Sequence, residues 1–155
     1  AILGALLSDR YYNHATGLVE YEALDNLDPR WLDIAVAQND LNLVKILARP
    51  GHAGAAKLLE SSFVETMKKS KEWEDSHLIL ESMVRIKHPA ATKSLMDLLT
   101  KHAKGTHSYT LFYIGRLIPA LPKESVPDLE ALLPTLPEKA IDQLLGYVTE
   151  LKNKL

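Results

Sequence analysis

Cysteine is absent from the chain. Disulfides, thiolate catalysis and cysteine-ligated zinc are thereby excluded, whereas the compartment stays open, because periplasmic proteins also do without cysteine. β-Branched runs and aromatic alternation are scarce, so strands have little to be built from. No apolar run reaches the roughly 18–20 residues of a membrane span. Neither sign of charge prevails: the formal net charge is −2, and nothing global calls for nucleic acid or an anionic membrane. The opening AILGALLSD has neither a basic n-region nor a complete h-region, which argues against a signal peptide and makes the cytoplasm the expected location. A Gly-rich phosphate loop, a G-x-S-x-G elbow and an HExxH pair are also missing, so no catalytic residue, metal ligand or cofactor is assigned.

What is present is leucine, alanine and helical spacing. The 155 residues are 46% apolar and 25% charged, the composition of one globular domain. The pattern is clearest over residues 86–121, IKHPAATKSLMDLLTKHAKGTHSYTLFYIGRLIPAL. Pro89 fits the first turn of a helix, and His88 before it is pushed to extended geometry. Ala91, Leu95, Leu98, Leu99 and either His102 or Ala103 share one stripe, with Lys93, Asp97, Lys101 and Lys104 largely off it. Gly105 is placed to end that helix and Thr106 to cap the next. The second helix has an apolar face of Leu111, Ile114, Leu117 and Ile118, with Tyr113 at its edge. Gly115 lowers helix propensity by roughly 1 kcal/mol against alanine, the composition of a close helix crossing. Pro119 and Pro122 end or kink this helix.

The rest of the chain varies the same unit. Residues 2–8 are expected to finish a helix, 9–16 to form a loop, and 17–27 to form a short helix on Leu18, Tyr21, Leu24 and Leu27. Asp28 and Pro29 open a helix over 30–38, with Trp31, Leu32, Ala35 and Val36 inward. Asn39–Asp40 turn into 41–49, carrying Leu43, Val44, Ile46 and Leu47. Helices follow over 52–70 (Ala55, Leu58, Leu59, Phe63, Met67) and 72–87 (Trp73, His77, Leu80, Val84). Another, over 123–133, has Ser125 as cap and Pro127 in its first turn, and the last, over 138–155, has Ile141, Leu144, Leu145, Val148 and Leu151 inward.

At an offset of 36, Ala55 falls on Ala91, Lys57 on Lys93, Leu59 on Leu95 and Phe63 on Leu99. Pro127 lies near the place of Pro89 at an offset of 38. A two-helix period of this length, with prolines at helix starts, marks a solenoid, because one hairpin cannot bury both faces alone. From about residue 51 onwards the chain resembles HEAT-like (armadillo-type) repeats, on HPAATKSLMDLL, LFYIGRLIPAL and SVPDLEALLPTLPEKAIDQLLGYV. DPRWLDIAVAQNDLNLVKILARPG resembles a single ankyrin unit, although Trp31 and Leu32 replace the usual start and the TPLH-like tetrad is missing. The expected fold is all-α: one domain over 1–155, an N-terminal helical segment and loop at 1–27, then a right-handed solenoid of about four antiparallel hairpins. The missing initiator methionine and the apolar opening make the chain an expected part of a longer polypeptide. Both resemblances imply binding, usually of a protein partner, and neither implies a reaction.

Three groups of side chains are weighed as sites. His88, His102 and His107 lie close in sequence, without a carboxylate–histidine pattern, and His77 sits on an apolar stripe as a hydrogen-bonded core residue would. Glu20, Glu22, Asp25, Asp28 and Asp33 straddle a turn and a cap, which does not make the paired site of acid–base catalysis. Lys68, Lys69, Lys71, Lys101 and Lys104 stand at equivalent helix ends, where they line an edge for a partner or simply suit the helix dipole. Tyr11, Tyr12, Tyr21, Tyr109, Phe112 and Tyr113 are the aromatic candidates, since tyrosine is enriched at interfaces. The function expected is protein interaction or scaffolding without catalysis, the partner-binding candidates being those five lysines with Tyr109 and Tyr113. The alternatives are a nucleic-acid-binding module and an accessory domain of a larger enzyme.

Overall fold

The structure, a computed structural model, describes residues 28–104 and 108–155, with the backbone of 12–13 and 18–19. Among these residues the helices are α1 (Arg30–Ala37), α2 (Leu41–Leu47), α3 (Ala53–Lys69), α4 (Trp73–Arg85), α5 (Ala91–His102), α6 (Ser108–Gly115), α7 (Val126–Leu132) and α8 (Glu138–Lys152). Single 3₁₀ turns occupy Ile118–Ala120, Lys123–Ser125 and Leu133–Thr135. The strands β1 (Tyr12–Asn13) and β2 (Leu18–Val19) pair antiparallel, Tyr12 opposite Val19 and Asn13 opposite Leu18. Leu18 is therefore extended and not helical as its spacing predicts. So few apolar residues, preceded by Gly17, do not offset the cost of helix nucleation. The helix expected over 2–8, the rest of 17–27, His107, and the caps at Gly105 and Thr106 lie outside the described residues, as do the side chains of Tyr11, Tyr12, Tyr21, Glu20, Glu22 and Asp25.

Helix entries follow local chemistry. Asp28 Oδ1 accepts the Arg30 N–H at 3.0 Å, and both carboxylate oxygens accept from the Arg30 guanidinium. The guanidinium bonds, then the backbone one, draw the Asp28 carboxyl down to about 2. Asn39 takes φ 51°, and Asp40 then caps α2 by accepting the Leu43 N–H at 3.2 Å. His52 caps α3: Nδ1 accepts the Ala55 N–H at 3.0 Å, and Nε2 faces Asp33 on α1 at 2.7 Å. His88, 36 residues on, accepts the Ala90 N–H through Nδ1 at 2.9 Å and turns Nε2 to the Ala56 carbonyl at 3.1 Å. Pro89 consequently lies two residues ahead of α5 instead of inside it, because His88 makes the entry.

The residues paired by the 36-residue offset share one environment. Ala55, Leu59 and Phe63 are buried on α3, as are Ala91, Leu95 and Leu99 on α5, while Lys57 and Lys93 are exposed. Consecutive helices pack together from α1 to α6, α7 packs on α8, and contacts also join α1 to α3, α2 to α4, and α6 to α8. Gly115 makes the last of these close: a Cβ there would stand 2.8 Å from Leu144 Cδ2 and 2.9 Å from Tyr147 Cδ2. Three details depart from the sequence pattern. α6 ends at Gly115, ahead of Pro119, so Ile118 is buried from a 3₁₀ turn. Ser125 does not cap α7, since its Oγ meets Thr92 Oγ1 of α5 at 2.6 Å. Leu145 is 51% exposed, because Leu144, Val148 and Leu151 fill the buried face of α8. Among the described residues no helix is long and apolar enough to cross a membrane.

Helix C-termini leave carbonyls without intrahelical donors, and here distant side chains supply them. Arg85 donates to the carbonyls of Ala48 at 2.7 Å and Lys45 at 2.8 Å, closing α2 from α4. Lys101 donates to those of Met67 at 2.6 Å and Ser70 at 2.8 Å, closing α3 from α5. His77 Nε2–H donates to the Tyr113 carbonyl at 3.0 Å, near the end of α6.

Candidate partner-binding surface

The last of those bonds sits beneath a group of rings. Tyr109 and Tyr113, one turn apart on α6, share a face of that helix. Their rings are 4.7 Å apart at 65°, and the Tyr109 hydroxyl donates to the Tyr113 hydroxyl at 3.1 Å. Trp73, the first residue of α4, lies 5.6 Å from Tyr113, and His77 one turn later lies 5.4 Å from Trp73. Phe112 meets Tyr113 edge to face at 5.5 Å, and the Arg116 guanidinium lies 4.8 Å from the Tyr113 ring centre. His77 is buried at the base, whereas Tyr109 is 61% and Phe112 46% exposed. The result is an aromatic surface whose outer rings have no cover among the described residues. The bond to Tyr113 raises the Tyr109 phenol above its ordinary value.

His77 makes this base sensitive to acid. Burial lowers its pKa below the ordinary 6.5, the Tyr113 carbonyl and Glu81 opposing and Arg116 assisting. The fold thus holds the neutral ring, so this stability is complete above 6.5 and is lost as the pH falls from 6.5 through the lowered native value. The unfolding midpoint in urea is expected to be flat near neutrality and to drop below that point. His77→Gln, which keeps a donor for the Tyr113 carbonyl without titrating, is expected to reduce the slope. An unchanged slope assigns the effect to other groups, His102 foremost, since burial lowers its pKa too.

The structure brings Lys101 to the end of α3, where Lys68, Lys69 and Lys71 lie. Lys101 is engaged by the α3 carbonyls, and Lys69 is paired with Glu65. Lys68 borders an open groove of about 440 Å³ along α3, with Lys57, Glu60, Ser61, Val64 and Glu65. Lys71 and Lys104 are exposed. Among the described residues no three histidine or carboxylate side chains converge as metal ligands. His88 and His52 face Glu60 and Asp33 singly, at 3.6 and 2.7 Å. Trp73 and His77 have no sequence signal that joins them to Tyr113, because the link is a packing contact across some 40 residues.

No protein-family model matches the sequence, and neither a curated protein nor a solved structure matches it.

Proposed function

We propose that this chain is a segment of a right-handed, HEAT-like solenoid that docks a protein partner through the α4–α6 aromatic surface and carries out no reaction of its own. The stacking is supported by the shared burial across the 36-residue offset and by side-chain bonds such as His77 to Tyr113, Ser82 to Lys45 and Lys101 to Met67, which span 36, 37 and 34 residues. The docking is carried by one observation: Trp73, Tyr109, Phe112, Tyr113 and Arg116 form one ordered cluster with Tyr109 and Phe112 open to solvent. Tryptophan, tyrosine and arginine are the residues that dominate interface energetics, and rings fixed in advance lose little entropy on binding. A basic edge for nucleic acid has less support, because Lys101, Lys69 and Lys93 are already engaged by Met67, Glu65 and Asp97.

The test is capture of a partner from the cells that make the protein, by wild-type chain and by a Tyr109→Ala, Phe112→Ala double variant. Both sites are exposed, so the fold is expected to survive, as circular dichroism will check. The captured partner is expected to be lost from the double variant, a drop of about tenfold or more in affinity. It is expected to persist when Lys68, Lys69 and Lys71 are reversed to glutamate. Equal capture by the double variant removes the aromatic surface from the binding site.

A further inference from the structure

We propose that the segment docking on this surface is basic, with one lysine or arginine side chain laid over the open face of Tyr109 and its charge directed at Glu74. This rests on the docking reading above and adds the chemistry of the partner. The surface is aromatic in its middle and acidic around it. Glu74 lies in the first turn of α4, next to Trp73 and one turn ahead of His77, and its charge is felt at Tyr109, His77 and His102. Glu72 stands at the N-cap position of α4 and its charge is felt at His102, while Glu81, one turn after His77, acts on that ring. The carboxylates of Glu72, Glu74 and Glu81 have no hydrogen-bonding or ion-pair partner among the described residues.

The nearest cations are already used. Arg116 stacks on Tyr113, and the Lys101 ammonium is held by two carbonyls. Lys71 precedes Glu72 and offsets part of the charge, against Glu72, Glu74, Asp75 and Glu81. Arg116 over Tyr113 shows how a cation sits on these rings, and Tyr109, held edge-on by its hydroxyl bond, offers a second face. A cation over a π face within about 6 Å is attracted by the ring quadrupole, more strongly as water is displaced. An acidic segment would meet three unpaired carboxylates, and a purely apolar one would strip their water without replacing it.

Short random peptides displayed on phage, selected on the full chain, provide the test. Enriched peptides are then synthesised, and their sites are located from the Trp73 indole and tyrosine ring signals in NMR titrations. The expected peptides are rich in lysine or arginine and shift the Trp73 and Tyr109 signals. Glu74→Gln and Tyr109→Leu are each expected to weaken them about fivefold, while Tyr109→Phe keeps most of the affinity because the π face remains. Neutral or acidic peptides that shift the same signals overturn the basic partner and leave docking at this surface standing. Peptides that shift signals elsewhere, or a selection without enrichment, overturn both.

Discussion

Leu95→Ala is expected to lower the free energy of unfolding by about 3–4 kcal/mol. Leu95 is fully buried on α5, among Leu98, Leu99 and Ala91 of the same helix. Removing its branched end forfeits the transfer energy of those carbons and leaves a cavity, because neighbours locked in a close-packed core relax only in part. Leu59, its counterpart on α3, is equally buried, and Leu59→Ala is expected to cost a similar amount. The control is Leu145→Ala. Sequence spacing puts Leu145 on the inward stripe of α8, but at 51% exposure its truncation is expected to cost less than about 0.5 kcal/mol. Urea unfolding followed by circular dichroism measures all three, and the slope with urea should stay constant if only the native packing changes. A loss below about 1 kcal/mol for Leu95 would mean that α5 is not packed as described.

The contrast between Leu95 and Leu145 shows what spacing can establish. On α3 the spacing of Ala55, Leu59 and Phe63 predicts the buried face, and the adjacent Leu58 packs half-buried against it. On α8, Leu144 and Leu145 are adjacent, about 100° apart around a helix axis, and only the neighbouring helix decides between them. That neighbour is α6, brought close by Gly115, whose role as a crossing point was visible as an isolated glycine in an apolar stretch. The caps at Asp28 and Asp40 were equally local and equally legible. Ser125 was not, because its hydroxyl answers to Thr92, 33 residues away. The candidate surface divides in the same manner. Tyr109 and Tyr113 stand out as aromatics one turn apart, whereas Trp73, His77 and Arg116 join them only through packing and stacking. Lys101 looked like a surface cation because its sequence neighbours are polar, and the α3 carbonyls that hold it lie more than 30 residues away.

Arg85 is the side chain on which this long-range capping depends most, and Arg85→Ala is expected to cost about 3 kcal/mol. Its two terminal nitrogens reach the carbonyls of Ala48, Lys45 and Ile46 at 2.7, 2.8 and 3.4 Å, and Ser82 Oγ adds a bond to Lys45 at 3.0 Å. A charged donor is worth roughly 1.5–3 kcal/mol per good bond, and water will replace part of that at a half-buried site. Arg85→Lys should recover only a minor part, since an ammonium is a point charge and cannot span three carbonyls as a planar fork does. The loss should also be local. Arg85 joins the end of α2 to α4, so its removal loosens α1 and α2, which keep their packing on α3 and α4. Amide exchange protection is then expected to fall most in α1 and α2, while α6 and α8, bound to each other through Gly115, Leu144 and Tyr147, keep theirs. If protection instead falls evenly along the chain, the helices unfold as one unit and the stacking of semi-independent hairpins is the wrong description. A graded profile, deepest at α2 and fading by α6, is what nearest-neighbour stacking requires.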